Sequence, residues 1–210
     1  MALLSSKNRE LVIDPISKKN PIIVQMLGIC SALAVTSKLE PAIVMGLSVT
    51  LIVAFSCVII SLIRNTIPNR IRFIVQLVVV AALVTIVSET LKAFAYDVNK
   101  QLSVFVSLIL TNCILMGRLE AFALANGPWE SFLDGIGHGL GYAVILVIIA
   151  FFRELLGSGT LLDIQIIPQA FYDFGYVNNG LMILPPMALI VVGVIIWVHR
   201  AKNKELQENN

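Results

Sequence analysis

The chain has 210 residues, of which 58% are hydrophobic and 13% charged, with a formal net charge of +2 and a mean hydropathy of +0.89. A soluble domain typically has about 45–50% apolar and about 25% charged residues, so this composition predicts an integral membrane protein. The small net charge, without a basic cluster or a glycine-rich phosphate loop in the sequence, argues against nucleic-acid binding. We therefore expect membrane lipid, and no nucleic acid, among the partners.

Six apolar segments follow one another, separated by charged and turn residues. A span needs about 20 residues to cross roughly 30 Å of hydrocarbon, which four of the segments satisfy, while the first and fourth are short or broken. The sequence predicts an all-α integral membrane protein with six transmembrane segments, arranged as an inverted 3+3 repeat. The six segments are residues 21–37, 41–63, 70–95, 101–117, 131–156 and 179–199.

The distribution of lysine and arginine predicts the orientation of the segments. With the N-terminus inside, most of these residues fall in the inner regions, as the positive-inside rule requires. Both termini are then cytoplasmic, and residues 157–178 form an ordered extracytoplasmic loop. The predicted organisation is a cytoplasmic N-terminal segment (1–20), a single transmembrane domain (21–199, with repeats at about 21–97 and 101–199) and a cytoplasmic tail (200–210).

Cys30 and Cys113 lie in the two short segments, at matching positions of the two predicted halves. Such paired short segments point to a site at the membrane midplane, and thiolates there select soft metals, iron–sulfur clusters among them. All three cysteines lie inside apolar sequence, so we expect them to be buried. Cys30 and Cys113 are either iron ligands or small packed hydrophobes, and Cys57, which has no counterpart in the other half, is assigned to packing.

Carboxylates inside apolar segments are candidate functional groups because their insertion is costly. Glu89 and Asp134 are the candidates for a cation path, although Asp134 could instead be a favourable charge near a helix N-terminus. Glu40, Glu120 and Glu154 each lie close to a basic residue in the sequence. We expect these three to form interfacial ion pairs or loop anchors.

The stretch from Asp134 to Tyr142 contains two overlapping Gly-x-x-x-Gly pairs. This spacing predicts a tight helix–helix contact and no nucleotide site. His138, between these glycines, is expected to be a hydrogen-bonded interface residue in preference to a ligand. Gly157 to Thr160 superficially resembles a flavin-attachment motif, but Gly159 stands where such a motif carries alanine, so we expect no flavin attached to this chain.

Four stretches of the sequence carry a family resemblance. They are Leu27-Gly-Ile-Cys-Ser-Ala-Leu-Ala-Val-Thr36, Thr111-Asn-Cys-Ile-Leu-Met-Gly-Arg118, Asp134-Gly-Ile-Gly137 and Phe151-Phe-Arg-Glu-Leu-Leu-Gly-Ser-Gly159. Together they resemble the Nqr/Rnf membrane subunit family, and within it the D subunits of bacterial Na⁺-translocating NADH:quinone oxidoreductases. The resemblance runs in order from about Pro15 to Trp197 and is more specific than any single motif.

This resemblance implies a subunit that pairs with a homologous E subunit. Cys30 and Cys113 match ligand cysteines of a [2Fe–2S] cluster, or of iron, held between the pair, and the E subunit would supply two further cysteines. It also implies electron transfer across the bacterial inner membrane, between NADH and quinone sites and flavins on other subunits, coupled to Na⁺ export. No activity is expected from the isolated chain.

Three alternatives remain open at this point. The chain could be the equivalent subunit of an Rnf ferredoxin:NAD oxidoreductase. It could be a small secondary transporter in which broken helices bind a substrate and acids bind a coupling ion. It could also be a packing partner with inert thiols.

Overall fold

The computed structural model describes residues 11–15, 20–68, 70–94, 108–161, 164–165 and 180–202. Most of the predicted extracytoplasmic loop, the join between the two predicted repeats and the end of the predicted tail lie outside these ranges. The architecture below is that of the described residues.

Helices dominate the described part of the chain. We number them α1 (Ile29–Val35), α2 (Leu39–Ile63), α3 (Arg72–Phe94), α4 (Cys113–Arg118), α5 (Pro128–Gly157) and α6 (Pro185–Lys202). A π-helical turn, Leu119–Ala123, continues α4, and a 3₁₀ turn, Gly180–Ile183, precedes α6. The helical prediction holds, with one addition: Thr160–Leu161 (β1) pairs antiparallel with Ile164–Gln165 (β2).

Four helices are long and apolar enough to cross a membrane: α2, α3 up to Thr90, α5 and α6. They coincide with the four segments that the sequence predicted to be of sufficient length. In the described parts of the first and fourth segments, the two cysteines lie in short helices, α1 and α4. The residue directly before each helix, Gly28 or Asn112, has a non-helical backbone conformation.

The core of the fold is the crossing of α2 and α5, where backbones approach closely. A methyl group added at any of three glycines would stand within 2.9 Å of an atom of the opposite helix, so side chains are excluded there. Successive contacts move one helical turn forward along α2 and one turn backward along α5, so the two helices are antiparallel. They join Gly46 to Ala143, Thr50 to Gly139 and Ala54 to Gly135.

The second glycine face of α5 holds the N-terminal segment. A methyl group at Gly137 would lie 2.6 Å from the carbonyl oxygen of Leu11, and one at Gly141 would lie 2.6 Å from that of Pro15. The amide of Asn20 also donates to the Gly141 carbonyl at 3.1 Å. Both predicted glycine pairs therefore make close contacts, each on a different face of α5.

Candidate functional site

Both cysteine-bearing helices, α1 and α4, start directly after a residue with a non-helical backbone conformation. Before α1, Met26 and Gly28 have positive φ angles of 55° and 77°, and the second falls at a glycine, which adopts this conformation without strain. Before α4, Asn112 is extended, and its side-chain oxygen accepts a hydrogen bond from the Ile114 amide at 3.2 Å. Cys30 and Cys113 thus occupy the first turn of a short helix.

The start of α1 and the start of α4 lie next to each other. A methyl group at Gly28 would lie 2.6 Å from Cδ1 of Ile114, so the absence of a side chain allows this approach. Cys30 and Cys113 line one small cleft of about 20 Å³, and its other lining residues are Gly28, Ser31, Leu108, Thr111 and Asn112. A water molecule needs about 10–15 Å³ of such space, so the chain by itself encloses room for little more than one water.

The environments of two of the three thiols differ from the prediction. Cys57 is buried as expected, but Cys30 and Cys113 are exposed in this chain. The expectation of burial was wrong for these two because it treated their segments as continuous helices. The non-helical backbone before each short helix places both thiols at the surface of the chain.

A hydrogen-bonded chain ties α5 to the turn that carries Cys30. The hydroxyl of Tyr142, which is fully buried, donates to Oγ of Ser31 at 2.8 Å. The Ser31 hydroxyl donates in turn to the Gly28 carbonyl at 2.9 Å. The central helix thereby fixes the backbone beside the thiol.

The described residues contain no group of three or more histidine, cysteine and acidic side chains that could hold a metal ion. The cysteine cleft offers two thiols, and an iron–sulfur cluster of the [2Fe–2S] type needs four protein ligands. Thiolates are ligands that suit iron, and both thiols of the cleft are exposed in this chain.

Asp134 lies in a buried polar cluster beside α4. Its carboxylate accepts two hydrogen bonds from Arg118, at 2.9 Å from Nε and 2.6 Å from Nη2, and its side chain is only 3% exposed. His138 Nδ1 lies 3.3 Å from the same carboxylate, and its other ring nitrogen is 3.5 Å from the Gln25 amide. The charge of Asp134 is thus balanced by a bidentate ion pair within the chain.

The sequence placed Asp134 among the candidate functional acids and did not find its partner. The sequence analysis placed Glu120 close to a basic residue in the chain, but in the structure Glu120 pairs with the distant Arg72 and accepts a hydrogen bond from Gln76 at 3.1 Å. His138 is hydrogen-bonded at a helix interface, as predicted. Local sequence carries no signal for the Arg118–Asp134 pair, since it depends on how α4 meets α5.

The structure does not bring Glu89 to Asp134. Glu89 is exposed near the end of α3, about 25 Å along that helix from Arg72 at 1.5 Å per residue. Arg72 is the residue that reaches the α4 region, through Glu120. The two candidate acids therefore stand in separate places.

Arg153 and Glu154 form a buried anchor at the other end of α5. Glu154 accepts a hydrogen bond from the Leu39 amide, at the start of α2, at 2.6 Å. Arg153 is 1% exposed and donates to the Thr36 hydroxyl and the Ile183 carbonyl, both at 2.6 Å. This arginine joins α5 to the end of the α1 segment and to the turn before α6, whereas the sequence analysis assigned an ion-pair or loop-anchor role only to the neighbouring Glu154.

Comparison with known proteins explains the pattern. Residues 8–196 match the family model described as Rnf-Nqr subunit, membrane protein. The chain belongs to the Rnf-Nqr family.

Curated relatives in this family are similar over nearly their whole length. The chain is 53% identical to the D subunit of the Na⁺-translocating NADH-quinone reductase of Aeromonas hydrophila, over 97% of each chain. It is 55% identical to the corresponding protein of Haemophilus influenzae, over 95% of this chain and 96% of the relative. With the D subunit of Yersinia pestis the identity is 53% over 92% of each chain. This Rnf-Nqr chain is thus a membrane protein whose relatives are subunits of an oxidoreductase.

Proposed function

We propose that the chain is the D subunit of a Na⁺-translocating NADH-quinone reductase. In this proposal, it shares an intramembrane [2Fe–2S] cluster, or iron, with a homologous E subunit and carries electrons across the membrane in a pump that exports Na⁺. The observation that carries the proposal is the exposure of Cys30 and Cys113 on one cleft, in a chain more than half identical to named D subunits.

The cysteine cleft supports a site shared between two chains. Two thiols on a subunit surface can meet two more from a partner, which gives the four ligands that such a cluster needs. The cleft is too small to enclose a cluster, so the cluster would lie at its mouth between the subunits. When bound, the cluster would supply one-electron redox chemistry. This chain would hold it through Cys30 and Cys113, at the starts of the short helices α1 and α4.

Contacts at the α2–α5 crossing support the inverted repeat. Gly46 and Gly135 are the same number of residues apart as Ala54 and Ala143. Gly46 packs on Ala143, and Gly135 packs on Ala54. Arg64 and Arg153 are also the same number of residues apart. A two-fold axis through the middle of the crossing would exchange the two helices and leave this contact pattern unchanged.

The two arginines also make related contacts. Arg64 Nη1 donates to the Asn126 carbonyl at 2.6 Å, beyond the end of the α4 segment. Arg153 Nη1 reaches Thr36 and, at 3.4 Å, the Leu33 carbonyl, at the end of the α1 segment. Each arginine thus binds the broken segment of the other half, as expected if residues 21–97 and 101–199 are two copies of one unit.

The proposed location is the bacterial inner membrane with both termini cytoplasmic. Its support is the excess of lysine and arginine in the regions predicted to face the cytoplasm. α6 also ends in a basic turn, with His199, Arg200 and Lys202. Further subunits would carry the flavins and the NADH and quinone sites.

For the ion, we propose that Asp134 and Glu89 act at different points of a cation path. The burial of Asp134 beside α4 supports this role, because a cation would take the place of Arg118 at its carboxylate. Glu89 is proposed for an outer position because it is exposed at the far end of α3. The separation of the two acids favours successive sites over one shared site.

Removal of either exposed thiol tests the proposal. We expect Cys30→Ala and Cys113→Ala each to remove the iron centre from the purified complex and to block quinone reduction, because three ligands would remain. Iron analysis and absorption spectra provide the measurement. Cys57→Ala, in the same membrane domain but buried in the crossing, is the matched control and should keep both iron and activity.

Full iron content in the Cys113→Ala complex would contradict the proposal. Loss of iron in Cys57→Ala at unchanged complex yield would also contradict the assignment, since that thiol lies away from the cleft.

A further inference from the structure

Asn112 stands between the two cysteine turns and is 3% exposed. It lines the same cleft as Cys30 and Cys113 and immediately precedes the second thiol. Its side-chain oxygen is already used, since it accepts the Ile114 amide and caps α4. This hydrogen bond fixes the orientation of the side-chain amide: exchanging its oxygen and nitrogen would set two donors against each other.

The nitrogen of that amide is left without an acceptor. Asn112 Nδ2 is buried and has no hydrogen-bond partner among the described residues. The Tyr142 hydroxyl lies near the Asn112 side chain but does not meet the geometry of a hydrogen bond with it. A buried donor without an acceptor costs about 1–3 kcal/mol, so native proteins contain few of them.

We propose that Asn112 Nδ2 donates a hydrogen bond to a sulfur atom of the iron centre, either the Cys113 thiolate or a bridging sulfide. This inference rests on the proposed function, because it requires iron in the cleft. A donor to sulfur stabilises the more negative, reduced state, and such hydrogen bonds are among the factors that set reduction potentials. Asn112 is then a positioning residue that caps the helix through its oxygen and raises the potential through its nitrogen.

The Asn112→Ser variant separates these two roles. Serine retains an oxygen that can cap α4, but it removes the amide nitrogen without adding charge. We expect the variant complex to keep its iron and its yield. The midpoint potential of the centre should fall, with the ratio of reduced to oxidised centre at a fixed potential decreasing about tenfold, equivalent to about 59 mV for one electron.

Isotope labelling identifies the bond directly. The intact complex is prepared with asparagine carrying ¹⁵N in the side-chain amide, and pulsed EPR is recorded in the paramagnetic state of the centre. We expect a ¹⁵N coupling in the unsubstituted complex that is absent in Asn112→Ser. Asn126→Ser is the matched control, since the Asn126 amide donates to the Phe122 carbonyl outside the cleft and should leave both coupling and potential unchanged.

The outcomes distinguish this inference from the function on which it rests. A complex without iron, or one whose iron survives loss of Cys113, would overturn the proposed function. A complex with iron bound through the cysteines but with no ¹⁵N coupling, and with the same potential in Asn112→Ser, would overturn only the role of Asn112.

Discussion

Cys57 and Cys113 lie in apolar sequence of similar character, but the fold places them in opposite environments. Cys57 is in the continuous helix α2, at the crossing with α5, and is buried. Cys113 begins a short helix after a backbone break and is exposed, as is Cys30. The difference shows that backbone continuity, rather than hydropathy, decides which thiol is accessible. The crossing serves as a framework, and the interrupted segments carry the two accessible thiols.

The largest expected effect comes from Arg153→Met, which removes the link between the framework and a broken segment. The substitution leaves the buried Thr36 hydroxyl without this donor, and an unsatisfied buried polar group costs about 1–3 kcal/mol. The part-buried Ile183 carbonyl also loses its hydrogen bond. We expect a large loss in the melting temperature of the detergent-solubilised complex and a lower iron content.

The matched control for Arg153 is its counterpart, Arg64→Met. Arg64 is half-buried, so we expect a smaller loss, about 1 kcal/mol for one hydrogen bond. Equal effects of the two substitutions would contradict the greater structural role assigned to Arg153.

A smaller loss of stability is expected from Gly139→Ala in the crossing. Its methyl group would lie 2.6 Å from Cα of Thr50, which is backbone and cannot move aside on its own. Overpacking of this kind typically costs about 1–3 kcal/mol. The melting temperature of the complex measures the effect, and Gly193→Ala on α6, where a methyl group meets nothing within 4 Å, is the control. Equal stability of the two variants would argue against a tightly packed framework.

The substitution that changes side-chain size least, and that is read out as function, is Asp134→Asn. It retains the size of the side chain but removes the charge that balances Arg118. We expect the sodium concentration for half-maximal turnover to rise on the order of tenfold, which corresponds to about 1.4 kcal/mol, and a weaker rise for Glu89→Gln. Glu120→Gln, at the exposed pair with Arg72, is the control. Unchanged sodium dependence in both test variants would exclude the two acids from the cation path.

Much of the framework could be predicted from the sequence because its signals are local or periodic. The four long helices follow from segment length, and the contacts of Gly135 and Gly139 follow from their spacing. The pairing of Cys30 with Cys113 came from a repeated pattern, and both line one cleft.

The missing parts depend on contacts between distant elements. Exposure of the two thiols depends on the positive φ at Gly28 and the extended Asn112, which hydropathy does not indicate. The partner of Asp134 depends on the packing of α4 against α5. The anchor role of Arg153 required knowing which hydrogen-bond acceptors converge on it, among them the Thr36 hydroxyl and the Ile183 carbonyl.

The central claim is that Cys30 and Cys113 supply half of a four-thiolate iron site shared between two subunits. Iron K-edge X-ray absorption of the purified complex tests this most directly, with unsubstituted protein compared with Cys113→Ser. The account predicts only sulfur in the first coordination shell of the unsubstituted complex, and in Cys113→Ser either loss of iron or a new oxygen ligand. A fully occupied, sulfur-only shell in Cys113→Ser would contradict it.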